Sequence, residues 1–320
     1  MSGLAVRARE DRPMLGIGLM LAAYLAFSCI DTSVKWLAIL GIPALQLSFM
    51  RYFGAFLISL FLIARGGIHP SRFASKHLLL VIVRGVLLMG STVFNFIAVR
   101  YLPLTLTATI LFSAPIIICA LSWPLLGERV GVWRWSAIMV GFSGILVAIR
   151  PFNEDFHWAV FLSLGAASCF AFYTIITRKL SGIVATDTMQ FYAGLVGTLV
   201  LAPFAFAEWQ NPATGLDWFL LVMLGGFGWL GHQLMTMALG YAPPSTVTPL
   251  SYSFIIYLTV WSFFLFDHLP DRWTISGALI IVAAGLVIWY REHRLNLERL
   301  KREAEASAVI PTPPAGGPPN

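Results

Sequence analysis

Charge is what this sequence has least of. Charged residues make up 11% of the chain, against about 25% in an ordinary soluble domain. Cysteine is nearly absent too: Cys29, Cys119 and Cys169 are the whole complement, all sit in apolar stretches, and none belongs to a Cys-x-x-Cys pair. That excludes a disulfide framework and reads as small apolar packing residues. The chain has no His-Glu-x-x-His, no Gly-x-Ser-x-Gly and no Gly-rich loop ending in Lys-Ser/Thr. Those motifs carry metal-assisted hydrolysis, acyl transfer and nucleotide hydrolysis. The chain is therefore expected to be no enzyme, to use no cofactor and no metal, and to draw any active transport from a gradient.

What is present is apolar. Hydrophobic residues account for 58% of the chain, in uninterrupted runs of about 20, the length that crosses some 30 Å of hydrocarbon. The net charge of +6 does not imply nucleic acid, because the basic residues lie between and beyond the apolar runs rather than in one patch. The expected partners are the lipid bilayer and a small-molecule metabolite, with no nucleic acid; a homodimer is left open.

The sequence states one stretch twice. Ala98-Val99-Arg100-Tyr101-Leu102-Pro103 returns 140 residues later as Ala238-Leu239-Gly240-Tyr241-Ala242-Pro243. At that same offset Ser113 meets Ser253, Trp133 meets Trp273, Ser136 meets Ser276 and Leu146 meets Leu286. A repeat of this length exceeds the roughly 20–50 residues of solenoids and marks a duplicated half-protein, as in transporters built from two related halves. Helices are expected near 14–37, 45–64, 78–99, 104–126 and 134–150, then 158–178, 187–207, 217–240, 245–266 and 274–290.

The predicted fold class is thus an all-α membrane protein of ten transmembrane helices, in two repeats of five, 14–150 and 151–290. An odd number per repeat makes the second enter the membrane from the opposite side, so the repeats are inverted. The run from Met14 is read as the first span and not as a signal peptide, because it is long, lacks a small-residue cleavage site and has a counterpart in the second half.

Basic residues orient this layout. With residues 1–13 as a cytoplasmic tail, fifteen Lys and Arg fall on the inner side and three, Arg100, Arg150 and Arg272, on the outer. That is a strong positive-inside bias, and it places both termini in the cytoplasm, at the inner membrane of a bacterial cell. Residues 291–320 form a basic helical stretch suited to anionic headgroups, followed by a Pro- and Gly-rich tail.

The Arg100-Tyr101-Leu102-Pro103 turn, Ser113-Ala114-Pro115 in mid-helix and Leu126-Gly127-Glu128-Arg129 resemble the EamA-type drug/metabolite transporters. So do the Gly-rich fifth helix ending at Arg150-Pro151 and the second-half Tyr241-Ala242-Pro243. The second copy departs at Asp267-His268-Leu269, where the first has Gly-Glu-Arg. The resemblance implies a ten-helix carrier with a central cavity that works by alternating access on metabolites such as amino acids, S-adenosylmethionine or riboflavin. Asp31-Thr-Ser-Val-Lys35 most resembles the riboflavin and S-adenosylmethionine carriers of that family. Uptake of riboflavin or a similar planar metabolite is the favoured reading. Export of amino acids or related metabolites is the alternative. An integral membrane enzyme or a scaffold is the rival class.

Ionisable and polar groups inside spanning helices are costly, so each is a site candidate. Asp31 and Lys35 stand four apart on one helix face and can pair, either as a substrate gate or as a structural ion pair with Lys35 snorkelling. Arg51 is deep enough to answer Asp31 or an anionic substrate group; Arg84, near an interface, has the weaker case. Asn95, His232 and Gln233 need partners and should face the interior, with Trp229 one turn before His232. If transport is proton-coupled, Asp31 or His232 is the expected proton carrier. Ser113, Tyr173 and Tyr252 complete the substrate-cavity candidates, the aromatics as stacking surfaces for a planar substrate. Pro115 and Pro249 are hinge candidates or static kinks. Few fixed charges in an aromatic cavity favour amphipathic or planar molecules over phosphorylated sugars.

Overall fold

The computed structural model describes residues 12–66, 76–114, 116–118, 120–121, 132–150, 156–180, 183–241 and 248–308. Pro115, Cys119, Gly127-Glu128-Arg129, Pro151, Ala242-Pro243 and both chain ends lie outside them. The described residues contain helices and no strand. In chain order the α-helices are α1 (Pro13–Ile39), α2 (Ala44–Arg65), α3 (Leu78–Tyr101), α4 (Leu104–Leu111), α5 (Val132–Ile149), α6 (Ala159–Leu180), α7 (Thr186–Ala207), α8 (Gly215–Tyr241), α9 (Ser253–Phe266) and α10 (Arg272–Ala308).

Seven of these helices are long and apolar enough to cross a membrane, and α4, α5 and α9 belong to shorter apolar helices. Large apolar side chains face outward along them, for example Leu79 (75% exposed), Phe264 (74%) and Phe161 (65%). Such a surface is stable only against lipid tails. The chain is a multi-pass membrane protein.

Prolines set several helix starts. Pro13 stands in the first turn of α1, while Pro43 and Pro103 are extended N-cap residues of α2 and α4. A proline tolerates these places because its missing N–H would have had no partner there. In the Tyr101-Leu102-Pro103 motif the effect is a two-residue joint between α3 and α4.

Two expected helices are broken. The span expected over 104–126 breaks its α-ladder after Leu111, where Phe112 and Ser113 form a turn, and is helical again at 114, 116–118 and 120–121. A residue at 115 would bond the Leu111 carbonyl in an unbroken helix, and proline has no N–H to do so. Of the span expected over 245–266, the described part opens with a 3-10 turn, Thr248–Tyr252, containing Pro249, and becomes α-helical at Ser253. Elsewhere a proline is absorbed: Pro203 lies inside a continuous α7. The basic stretch after residue 290 continues α10 without a break.

Asp267 closes α9 with a left-handed backbone, φ 49°. Its N–H bonds to the Phe263 carbonyl and the His268 N–H to the Ser262 carbonyl, both at 3.1 Å. The bond from Asp267 to Phe263 is that of a left-handed helix end, where glycine is usual and Asp is tolerated. The first repeat has Gly127 at the matching position.

Helix packing follows a pattern of fives. α1 packs on α8 and α3 on α6; α2 packs on α8 and α3 on α7; α1 packs on α9 and α4 on α6. Moving every helix on by five turns each member of these couples into the other. The pairs α2 with α7, α4 with α9 and α5 with α10 map onto themselves, whereas α1 with α3 and α2 with α3 have no counterpart of similar extent. Glycines bring the axes close: a Cβ on Gly225 of α8 would come within 2.5 Å of the Gly54 Cα of α2. One on Gly277 of α10 would lie 2.6 Å from the Gly144 carbonyl of α5. In lipid, where apolar side chains gain little by leaving the solvent, such close approach is a main source of helix association.

Candidate functional site

A cavity of about 480 Å³ lies between α2, α7 and α8, with Leu88 of α3 on its wall. α8 supplies Gly228, Trp229, His232, Gln233 and Thr236, and α2 supplies Arg51, Tyr52, Ala55, Ser59, Leu62 and Ile63. Both sets recur every three or four residues, so one face of each helix forms the wall. α7 adds Asp187, Gln190, Ala193 and Gly194 from its first turns.

The cavity is open at one end. Asp187, Leu62, Gln233 and Thr236 are exposed at the mouth, where α2 ends and α7 begins. Past Arg51 at the other end lies a fully buried apolar plug that includes Val34, Leu37, Leu47, Phe96, Leu221 and Leu224. Polar clasps hold the helices together beyond the plug. The Gln46 side chain donates to the Gln210 carbonyl (2.8 Å) and accepts from the Gln210 N–H (2.9 Å), tying α2 to the chain after α7. Trp36 Nε1 donates to Asp217 Oδ1 at 3.0 Å, tying α1 to α8.

Arg51 stands at the blind end. Its Nη1 donates to Thr92 Oγ1, and its guanidinium lies 5.6 Å from the Tyr52 ring and 5.8 Å from the Phe96 ring. Thr92 is held in turn by the Tyr52 hydroxyl (2.8 Å) and by its own donation to the Leu88 carbonyl (3.0 Å). Gly228 packs beside Arg51: a Cβ there would meet Nε in ordinary contact at 3.7 Å.

Asp31 is buried behind this end, with Asn95 Nδ2 donating to both its carboxylate oxygens at 3.2 Å. Asp31 is near enough to Arg51 for the two charges to interact, though they form no ion pair. The Asp31–Lys35 contact expected from their spacing is not the one made. Lys35 Nζ instead donates to the carbonyls of Val99 (2.7 Å) and Leu102 (3.0 Å) at the end of α3. Those carbonyls have no intrahelical donor and carry the negative end of the helix dipole, so they attract the ammonium.

Arg84, the weaker candidate in the sequence, is among the most committed side chains. It is 2% exposed. Its Nε donates to Thr177 Oγ1 (2.7 Å), Nη1 to the Met189 carbonyl (3.1 Å) and Nη2 to the Tyr173 hydroxyl (2.8 Å), joining α3 to α6 and α7.

The comparisons with known proteins agree with this arrangement. The profile of the EamA-like transporter family matches residues 14–150 and again residues 157–290. The chain belongs to the EamA-like transporter family. This EamA chain is 28% identical over 282 residues to the S-adenosylmethionine uptake transporter of Rickettsia felis, covering 88% of this chain and 94% of that one. It is 26% identical over 295 residues to the riboflavin transporter of Vibrio cholerae, covering 91% and 98%. Identity to the pseudopaline exporter CntI of Pseudomonas aeruginosa is 27% over 275 residues, covering 85% and 95%. A solved crystal structure at 16% identity shares the fold, with TM-score 0.59 over 90% of this chain and 99% of that one.

Of the residues singled out in the sequence of this EamA protein, Arg51, Trp229, His232 and Gln233 line the cavity. His232 also sets its ring edge-on to Phe27, with centroids 5.1 Å apart. Asp31 and Asn95 sit behind the blind end, and Tyr173 is engaged with Arg84. Lys35 caps α3, and Tyr252 stacks near Phe112 (5.3 Å) at the α4–α9 contact, away from the lining. Ser113 is fully buried and its Oγ meets no hydrogen-bond partner among the described residues. Asp187, Gln190, Ser59 and Thr236 were not singled out. Asp187 and Gln190 are one helical turn apart at a span's first turn, where polar residues read as interfacial; only the cavity distinguishes them.

Proposed function

We propose that this EamA protein is a secondary carrier of the bacterial inner membrane that moves a small organic metabolite by alternating access. The observation that carries the reading is the one-ended cavity, open beside Asp187 and Thr236 and closed beyond Arg51 by the apolar plug and its polar clasps. A carrier must offer its site to one side at a time, and a cavity with one open and one sealed end is such a state.

The proposed topology is ten crossings in two inverted five-helix repeats, 14–150 and 151–290, with both termini cytoplasmic. The fivefold pattern of helix contacts and the two matches to the family profile support it. The positive-inside bias then puts the open mouth, next to Arg65, on the cytoplasmic side. Pro249 in its 3-10 turn and the break after Leu111 are candidate hinges of matching helices, α9 and α4.

The substrate we favour is a planar metabolite taken up by the cell. Trp229 on the wall offers a stacking face, and relatives named as riboflavin and S-adenosylmethionine transporters support uptake. Export is the second reading, favoured by the relative named as a pseudopaline exporter.

The experiment is transport by the purified protein in proteoliposomes, with labelled S-adenosylmethionine and riboflavin and a set of amino acids, in both directions. Protein-dependent flux of one compound is the expected result. No flux with any of them, from either side, defeats the carrier reading for these substrate classes.

A further inference from the structure

Two guanidiniums stand inside the bundle without a described ion-pair partner. Arg51 and Arg84 are both placed inside the bundle, and the ion pairs of the described residues include neither. Their hydrogen-bond acceptors are a threonine, a second threonine, a tyrosine and a backbone carbonyl, all neutral. The one buried acid nearby, Asp31, spends both oxygens on the Asn95 amide. Both guanidiniums thus meet only neutral hydrogen-bond acceptors among the described residues, in a setting where an unmatched charge is expensive.

The two guanidiniums differ in which of them can meet a substrate. Arg84 uses Nε, Nη1 and Nη2, is 2% exposed and is absent from the cavity lining. Arg51 lines the cavity and makes one described hydrogen bond, through Nη1 to Thr92. A guanidinium has five N–H donors in a rigid fork that fits a carboxylate side-on. Thr92, itself held by Tyr52 and Leu88, fixes one arm of that fork, and the other donors have no described partner in a side chain that lines the cavity.

Resting on the carrier reading above, we infer that Arg51 is the substrate's anion-recognition residue, and that the substrate is a monocarboxylate carrying a planar ring. The planar fork of one guanidinium pairs side-on with one carboxylate. The ring then lies toward Trp229, the next residue of α8 after Gly228 and part of the same wall. In this arrangement Arg84 adds to the positive potential from behind without touching the substrate.

The test compares ring compounds with and without a carboxylate on the full chain in proteoliposomes. S-adenosylmethionine and S-adenosylhomocysteine carry one; riboflavin and 5′-methylthioadenosine do not. Wild-type protein is expected to transport labelled S-adenosylmethionine, with S-adenosylhomocysteine competing at least tenfold better than 5′-methylthioadenosine. Arg51→Gln is expected to raise the half-saturating concentration for S-adenosylmethionine at least tenfold and abolish that preference. Arg51→Lys, which keeps the charge and loses the fork, is expected to fall between.

Should Arg51→Gln fail to fold, the thermal shift of the wild-type protein with S-adenosylhomocysteine against 5′-methylthioadenosine decides the matter: equal shifts overturn the inference. Transport of riboflavin alone, unchanged in Arg51→Gln, overturns it while the carrier reading stands. Absence of any flux defeats the carrier reading and this inference together.

Discussion

Asn95 on α3 donates its side-chain amide to both carboxylate oxygens of Asp31 on α1, at 3.2 Å each. The contact joins two spans directly behind Arg51, so the carboxylate is held in place without being neutralised. Asn95→Leu would strip both bonds and leave the buried acid without a donor. Interhelical hydrogen bonds in membranes average about 0.6 kcal/mol, and those to charged groups are stronger, so a loss of about 1–2 kcal/mol is expected. Thermal melting of the detergent-solubilised protein measures it; an unchanged midpoint would show that the contact contributes nothing to stability.

The crossing of α2 and α8 depends on glycine at 225. A Cβ there would meet the backbone of Gly54 and Ala55 at 2.5–2.8 Å, and backbone cannot step aside as a flexible side chain can. Its neighbour Gly226 faces only the Met223 sulfur, at 3.8 Å. Gly225→Ala is expected to cost about 1–3 kcal/mol through overpacking, and to reduce transport by moving the cavity walls apart. Gly226→Ala is expected to be near neutral. Melting of the two variants side by side separates packing from any general effect of added methyl groups.

The Gln46–Gln210 clasp closes the end of the bundle opposite the mouth. Gln46→Leu removes both of its hydrogen bonds. Taking about 0.6 kcal/mol for each, the equilibrium should shift about fivefold or more toward the state open on that side. In a cysteine-free background, labelling of Ala55→Cys by a membrane-impermeant maleimide added from the outer face should speed up accordingly. Labelling at an unchanged rate would remove the clasp from the gate.

Arg150 and Asp271 form an ion pair of 2.7 Å between the end of α5 and the start of α10. Burial pushes the Asp271 carboxyl up, but the Thr274 hydroxyl and N–H, together with Arg150, outweigh it and hold the group below its ordinary value of 3.8. A depressed value in the folded state means stability that is present at higher pH and is lost as pH falls through the folded-state value. Wild type should therefore exceed Asp271→Asn in melting temperature by a constant margin above about pH 5, with the margin closing at pH values below the ordinary one. The side chains are 31% and 40% exposed, so the margin corresponds to only ~0.2–1 kcal/mol. A margin that grows on acidification would contradict this sign.

The sequence by itself determined that the chain crosses a membrane several times and that it is built twice. Those properties reside in short-range composition: a run of about 20 apolar residues has few other fates, and the repeated Tyr101 and Tyr241 turns need no neighbours to be seen. Tertiary structure alone decided the partners of the buried charges. Asp31 and Lys35 share a helix face, yet each found a better partner on α3, an amide for one and unpaired carbonyls for the other. Arg51 and Arg84 look alike as isolated cations in apolar runs; packing left one with a single bond beside a cavity and the other with three inside a wall. Asp187 and Gln190 became cavity residues only because α7 begins where α2 and α8 reach the mouth. The reason is one of range: hydropathy is a property of consecutive residues, whereas hydrogen-bond satisfaction in a bundle is settled between helices far apart in the chain.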